Sequence, residues 1–176
     1  MAKGAGPAVS VDRELTGEPT DYEQFVTEHS VALQRFAFLV IGDREDARDA
    51  VQDALLGAYP RWASLVGDPG PYLRRSIVNA HRTRWRRNRR ETPIADAWLP
   101  ADAAGGVDGV VDWLMLDRLS RQLPHRQRAA LVLRFYEDRS FAEVAEVLGC
   151  AESSARSLVH RGLADLRRRL EGGSHE

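Results

Sequence analysis

Arg75, Asn79, Arg82, Arg86 and Arg89 recur at alternating intervals of four and three residues, and Arg90 follows directly. At ~100° per residue these positions share one stripe of a helix. A guanidinium forks onto phosphate, and an Asn amide pairs in two directions with a base edge. Residues 71–90 hold eight Arg and no Asp or Glu. A solvated helix face mixes signs, so a stripe with no carboxylate to neutralise it points to a polyanion, a nucleic-acid backbone above all. The rival reading is an Arg-rich helix end that meets only water. Leu73, Ile77, Ala80, His81 and Trp85 fall on the adjoining side. That is the core side, so Trp85 reads as core rather than as a ring that stacks on bases.

Two further groups of residues have types and spacing that could bind. Glu45, Asp49, Gln52, Asp53 and Leu56 share one helix side, opposite a stripe of Ala47, Ala50, Val51, Ala54, Leu55 and Ala58. An exposed Leu among carboxylates fits a protein-docking patch. From spacing alone, acids that merely solubilise a helix fit equally well. Near the C-terminus, Ser153, Ser157, His160, Arg161 and Arg168 face away from an inward row of Ala155, Val159, Gly162, Leu163, Leu166 and Leu170, with Arg156 on the flank. Short hydroxyls, an imidazole and arginines suit a helix that reads a major groove.

Catalytic and metal-binding patterns are missing. The sequence has no Gly-rich phosphate loop, no H-x-x-x-H pair and no G-x-S-x-G. The five His, at 29, 81, 125, 160 and 175, are scattered, and His29, close to an apolar stripe, reads as a packed side chain. The single cysteine, Cys150, excludes an internal disulfide and a Cys-based zinc site. No cofactor, no metal and no enzymatic activity are expected.

The elements that must position these groups are all helices. Residues 1–20 are Gly, Pro, Ala and polar residues without period, and read as a disordered tail. Periodicity predicts a first helix from Asp21 to about Val40, and Gly42-Asp43 a break and N-cap. A second helix should reach about Tyr59 and end at Pro60, with residues 61–70 a loop. Pro71 suits the first turn of a third helix running to about Arg90. Residues 91–107 have linker composition. Asp108 should cap a helix to about Gln122, and Leu123-Pro124 restarts the chain into an apolar helix containing Ala129 to Tyr136. Ser140 to Glu143 reads as a capping box, and Gly149 closes that short helix. A last helix runs from about Glu152 to Leu170, leaving 172–176 as a tail. Since Ala151 is a poor cap, its start could slip to Ser153. Gly162 should cost up to about 1 kcal/mol of helix propensity. The predicted fold is therefore all-α: two small helical domains, 21–90 and 108–171, joined by a flexible linker, the second a helix-turn-helix.

Composition agrees with an ordinary globular chain: 176 residues, 43% hydrophobic and 29% charged. The longest apolar run is the six residues 36–41, far short of the ~20 a membrane span needs. Lys3 is not followed by an apolar stretch, which argues against a secretory signal. The expected location is the cytoplasm, with no membrane insertion. Net charge is −1, but unevenly spread: −6 over residues 1–70, +8 over 71–90, −5 over 91–120 and +2 over 121–176. A polyanion-binding surface and a separate acidic face belong to one molecule.

Three segments in order resemble one family. GDREDARDAVQDAL (42–55) is similar to the core-polymerase-binding segment of the sigma-70 family of bacterial transcription initiation factors. YLRRSIVNAHRTRWRRNRRE (72–91) is similar to its −10 segment, and LPHRQRAALVLRFYEDRSFAEVAEVLG (123–149) with the following helix to its −35 helix-turn-helix. Two helical domains and one short linker resemble the extracytoplasmic-function (ECF) group, with the Arg-rich helix closest to actinobacterial SigE-like members. The resemblance implies that Glu45, Asp49, Gln52, Asp53 and Leu56 dock on the clamp helices of the largest subunit of core RNA polymerase. It implies that loop 62–70 and the stripe from Arg75 to Arg90 hold the single-stranded −10 element. Ser153, Arg156, Ser157, His160 and Arg161 would then enter the duplex −35 element. Whether an anti-sigma factor is a partner is left open. The rival function is a stand-alone helix-turn-helix transcriptional regulator, which needs neither the acidic face nor the Arg stripe.

Overall fold

A computed structural model describes residues 21–65, 67–85 and 122–172; of residues 81–85 and 172 only the backbone is described. All regular structure among the described residues is helical. Helix α1 spans Asp21–Ile41 and α2 spans Arg44–Ala58. A 3-10 helix, Tyr59–Ser64, leads into α3, Gly70–Trp85. Next among the described residues come α4, His125–Leu131, and a π-helical turn, Val132–Tyr136. Helices α5, Phe141–Leu148, and α6, Glu152–Gly172, complete the chain. The tail at 1–20, the linker at 91–107 and the helix expected from Asp108 lie outside the described residues.

The first three helices form one module. Asp43 caps α2 by accepting from the Asp46 N–H at 2.9 Å, which satisfies one of the helix's orphan donors. Ala47, Ala50, Val51, Ala54 and Ala58 are buried, so α2 approaches α1 and α3 through small side chains. Leu73 and Ile77 of α3 are buried in one core with Leu33 and Phe36 of α1.

The second helix does not simply stop at Pro60. Proline lacks an N–H and its φ is preset, so it suits the first turn of a new helix. Here it starts the 3-10 segment, and the expected loop shrinks to the residues after Ser64. Tyr22, Phe25, Tyr59 and Trp62 join that segment to the start of α1 through edge-on ring contacts at centroid distances of 4.9–5.0 Å. The Tyr22 hydroxyl donates to Leu55 O at 3.2 Å. Burial, and then Tyr59 beside it, pushes the Tyr22 pKa up.

The second module is α4 to α6, and the two modules touch. Every residue from Phe36 to Ile41 is buried. Six consecutive buried residues mean a helix enclosed on all sides. Helices α2 and α3 cover one side of the end of α1; α4 and the π-turn cover another. Arg128 on α4, itself buried, donates to Leu39 O near the C-terminal end of α1. The last turn of α1 carries no basic residue of its own, so the second module supplies a cation where helix carbonyls attract one.

Candidate nucleic-acid interface

The acidic side of α2 is where its spacing put it. Glu45, Asp49, Gln52 and Asp53 are exposed, and Leu56 stands 61% exposed among them. Tyr59, at 63%, extends the apolar part of the patch by one turn. Sequence reading missed Tyr59 because it was counted as a helix end, and the 3-10 continuation carries it onto the same face.

Of the Arg stripe, Arg75 and Asn79 are described, and both side chains are exposed. Arg82 is placed by backbone only; Arg86, Arg89 and Arg90 lie outside the described residues, as do the side chains of His81 and Trp85. The neighbouring Arg74 serves differently. Its Nε donates to Glu137 Oε2 at 2.6 Å in the second module, and its guanidinium lies 5.8 Å from the centroid of the Phe36 ring. One Arg of the basic run is thus structural. At the start of α3, Asp68 Oδ1 accepts from the Gly70 N–H at 2.8 Å.

The short helix and turn of the second module are built as the residue types require. Ser140 and Glu143 form a reciprocal capping box: Ser140 N–H donates to Glu143 Oε2 at 2.8 Å, and Ser140 Oγ accepts from Glu143 N–H at 3.3 Å. Arg139 adds an ion pair to Glu143 at 2.9 Å. The Ser140 hydroxyl, then Arg139 and the Ser140 N–H, hold the Glu143 carboxyl down from 4.5 to about 2. A depressed folded pKa contributes stability that is complete above the ordinary value and lost as pH falls through the folded one. The capping contribution therefore fades between pH 4.5 and about 2. Circular dichroism across that window should show loss of helix, and Glu143→Gln should flatten that part of the titration.

Helix α5 closes in a Schellman arrangement. Gly149 N–H donates to Glu146 O and Cys150 N–H to Ala145 O, with Gly149 at φ +59°. Only glycine adopts that angle without strain. Helix α6 then begins at Glu152, not later: Ala151 stands at the cap and its carbonyl accepts from the Ala155 N–H at 3.0 Å. The expected slip to Ser153 does not occur, because the Schellman turn already aims the chain into the helix.

On α6, Ala155, Val159, Gly162 and Leu166 are buried as expected, but Leu163 and Leu170 are exposed. Both lie at the edge of the inward stripe, beyond the width that α4 and α5 cover. Ser153, Arg156, Ser157, His160 and Arg161 are all exposed on the outer face. Their states differ. Arg156 pairs with Glu152 at 2.6 Å and lies 4.4 Å from the centroid of the Phe141 ring, which fixes its direction. Ser157 Oγ donates to Ser153 O at 2.9 Å. Arg168 is held by Asp165. His29, read as packed, is instead exposed; its ring stacks on Phe25 at 4.1 Å, and Nδ1 lies 3.1 Å from Phe25 O.

Gly162 has a packing reason. A Cβ there would stand 2.9 Å from Leu131 Cδ1 and 3.1 Å from its Cγ, and Leu131 is buried. Alanine would gain about 1 kcal/mol of helix propensity but overpack the α4–α6 contact, which costs ~1–3 kcal/mol. Gly162→Ala should therefore lower the melting temperature, by ~2–4 °C for a net loss near 1 kcal/mol in a chain of this size.

No group of three or more His, Cys, Asp or Glu among the described residues is placed to hold a metal. No helix among them is long and apolar enough to cross a membrane. What the arrangement offers is an acidic patch with exposed Leu and Tyr, a basic helix, and a helix-turn-helix with a polar outer face.

Comparison with known proteins agrees with that inventory. The family described as Sigma-70 region 2 matches residues 25–91, and Sigma-70, region 4 matches residues 113–166. The RNA polymerase sigma-E factor of Streptomyces avermitilis is 34% identical over 88% of each chain. The ECF RNA polymerase sigma factor SigM of Mycobacterium tuberculosis is 33% identical over 89% of this chain and 80% of its own. Among solved structures, the sigma factor RpoE of Bartonella quintana, in complex with the anti-sigma factor NepR, shares the fold. Its TM-score is 0.68 at 24% identity, covering 86% of this chain and 97% of that one. These matches define a two-module transcription initiation factor. The chain belongs to the sigma-70 family, in its extracytoplasmic-function group.

Proposed function

We propose that this ECF sigma factor divides its work among the three surfaces as follows. Glu45, Asp49, Gln52, Asp53 and Leu56 of α2, with Tyr59, dock on the clamp helices of the largest subunit of core RNA polymerase. Arg75, Asn79, Arg82, Arg86, Arg89 and Arg90, with the segment from Trp62 to Gly70, hold the opened −10 strand. Ser153, Arg156, Ser157, His160 and Arg161 read the duplex −35 element from the major groove. The chain does no covalent chemistry and works in the cytoplasm. Domains at 21–90 and 108–171 are the units that carry these roles. An anti-sigma factor belongs among its partners, as RpoE is bound by one.

The observation that carries this reading is the coexistence of an exposed acidic–apolar patch and a helix-turn-helix in one small chain. A free-standing regulator has use for the second only. Reconstitution with core polymerase on genomic promoters, with transcript starts mapped, tests it. Specific starts should appear only when chain and core are both present. Tight binding of promoter duplex by the chain alone, with no effect on core, would favour the stand-alone regulator.

A further inference from the structure

Two contacts set the direction of Arg156 on the outer face of α6. Its Nη2 donates to Glu152 Oε1 at 2.6 Å, and its guanidinium lies 4.4 Å from the centroid of the Phe141 ring. The ion pair has Glu four residues N-terminal to its cation, the favoured order on a helix. Alone such a pair is weak, because both side chains are about half exposed. The ring adds a cation–π attraction and a flat wall. Phe141 is itself held in place. It is the first residue of α5, directly after Ser140 of the capping box, and packs against the core. The cap therefore sets the ring, and the ring sets the arginine.

Glu152 stands in an unusual place for an acid. It is the first residue of α6, at the end of a recognition helix that comes nearest to base edges. A lone carboxylate there meets phosphates, which repel it. Pairing with Arg156 cancels that charge and also withdraws Arg156 from the phosphates. The pair carries no net charge, so it adds little to backbone attraction and keeps both groups for bases. A guanidinium fork held in one plane fits guanine O6 and N7, and a carboxylate, which only accepts, fits the cytosine N4 amine. Thymine O4 and guanine O6 present acceptors instead, and a carboxylate opposite them is left unpaired. Adenine offers an amine too, but beside its N7 acceptor.

We propose that Glu152 is a specificity-determining residue of the −35 contact. It accepts from a cytosine amine in the base pair next to the guanine that Arg156 takes, and Phe141 is the positioning residue for Arg156. This deepens the −35 role of α6 and rests on it. The test uses holoenzyme reconstituted from the full chain and core polymerase, with a duplex pool randomised upstream of a fixed −10 element. Bound and unbound duplexes are sequenced, and one selected duplex is titrated across salt. The unsubstituted chain selects guanine beside cytosine, the cytosine by about 5- to 150-fold. Glu152→Ala flattens the preference at the cytosine position and weakens that for guanine. It frees Arg156 for phosphate, so non-specific binding tightens and the salt slope steepens by up to ~0.9. Glu152→Gln moves the preference from cytosine toward adenine, whose N6 and N7 an amide takes in both directions. Phe141→Leu, which keeps an apolar side chain, weakens guanine selection more than cytosine selection. Circular dichroism shows the same helical content for the Glu152 variants as for the unsubstituted chain.

Unchanged selection on Glu152→Ala overturns the proposal and leaves the −35 role of α6 standing. An equal loss at every upstream position, or a shallower salt slope, also overturns it, since Glu152 then supports the helix and does not read. No upstream selection by the unsubstituted holoenzyme overturns the −35 reading itself.

Discussion

Asp49→Arg combined with Asp53→Arg abolishes co-purification with core polymerase and leaves helical content and melting close to those of the unsubstituted chain. Both positions lie on the exposed side of α2, away from Ala50, Val51 and Ala54. Arginine is at least as good a helix former as aspartate. An ion pair at an exposed position is worth up to about 1 kcal/mol. Binding is another matter. Each substitution turns an attraction into a like-charge contact, and such contacts cost several kcal/mol at an interface. A combined loss of about 4 kcal/mol already lowers affinity ~10³-fold. Pull-down with core and a melting curve on the same preparation measure both halves. Core binding at full strength would reduce this face to ordinary solvated surface. Leu56→Ala should weaken binding without any change of charge, because exposed apolar anchors carry a large share of interface energy.

Alanine at Arg161 should cut transcription only from promoters with an intact −35 element, while a fork template already open at −10 is much less affected. Arg161 is exposed on the outer face of α6, so truncation removes no packing. One bidentate pair with guanine discriminates by ~1–3 kcal/mol, a factor of about 5 to 150 in occupancy at ~1.4 kcal/mol per tenfold. Arg156→Ala should behave similarly with a second effect. Arg156 is braced by Glu152 and the Phe141 ring, so its loss also loosens the contact between the two helices of the motif. Comparing the two variants on duplex and fork templates separates reading from bracing. Equal losses on both templates would show that α6 holds something other than upstream DNA.

The elements were legible in the sequence because their signals are local. A capping box at Ser140–Glu143, a closing glycine at 149 and a proline at the start of α3 each act within one turn of the chain, and each is seen in the structure. The exposed sides of α2 and α6, and the exposure of Arg75 and Asn79 on α3, were legible because helical spacing sorts side chains by direction. What escaped was everything that one module does to the other. Arg74 looked like one more member of a basic run, and nothing near it in sequence marks Glu137, 63 residues away, as its partner. Arg128 gave no sign that it would be buried. The run Phe36–Ile41 did hold a signal: it is apolar on every side, which a helix with one wet face has no reason to be. Against a membrane's thickness alone the run is merely short. Gly162 reads as a weakness for a related reason, since helix propensity says nothing about Leu131 on another helix.

The bond from Arg128 to Leu39 closes a loop of 89 residues. Each half of the chain therefore covers part of the other's hydrophobic interior. Heating should produce one cooperative transition rather than two, with calorimetric and van't Hoff enthalpies in agreement. Dissection at the linker would leave the N-terminal piece with an apolar helix end that has lost Arg128, a surface that favours self-association. Partial proteolysis of the linker would then act on more than reach: it would change how firmly each half holds its native packing, and so how long a nicked chain survives.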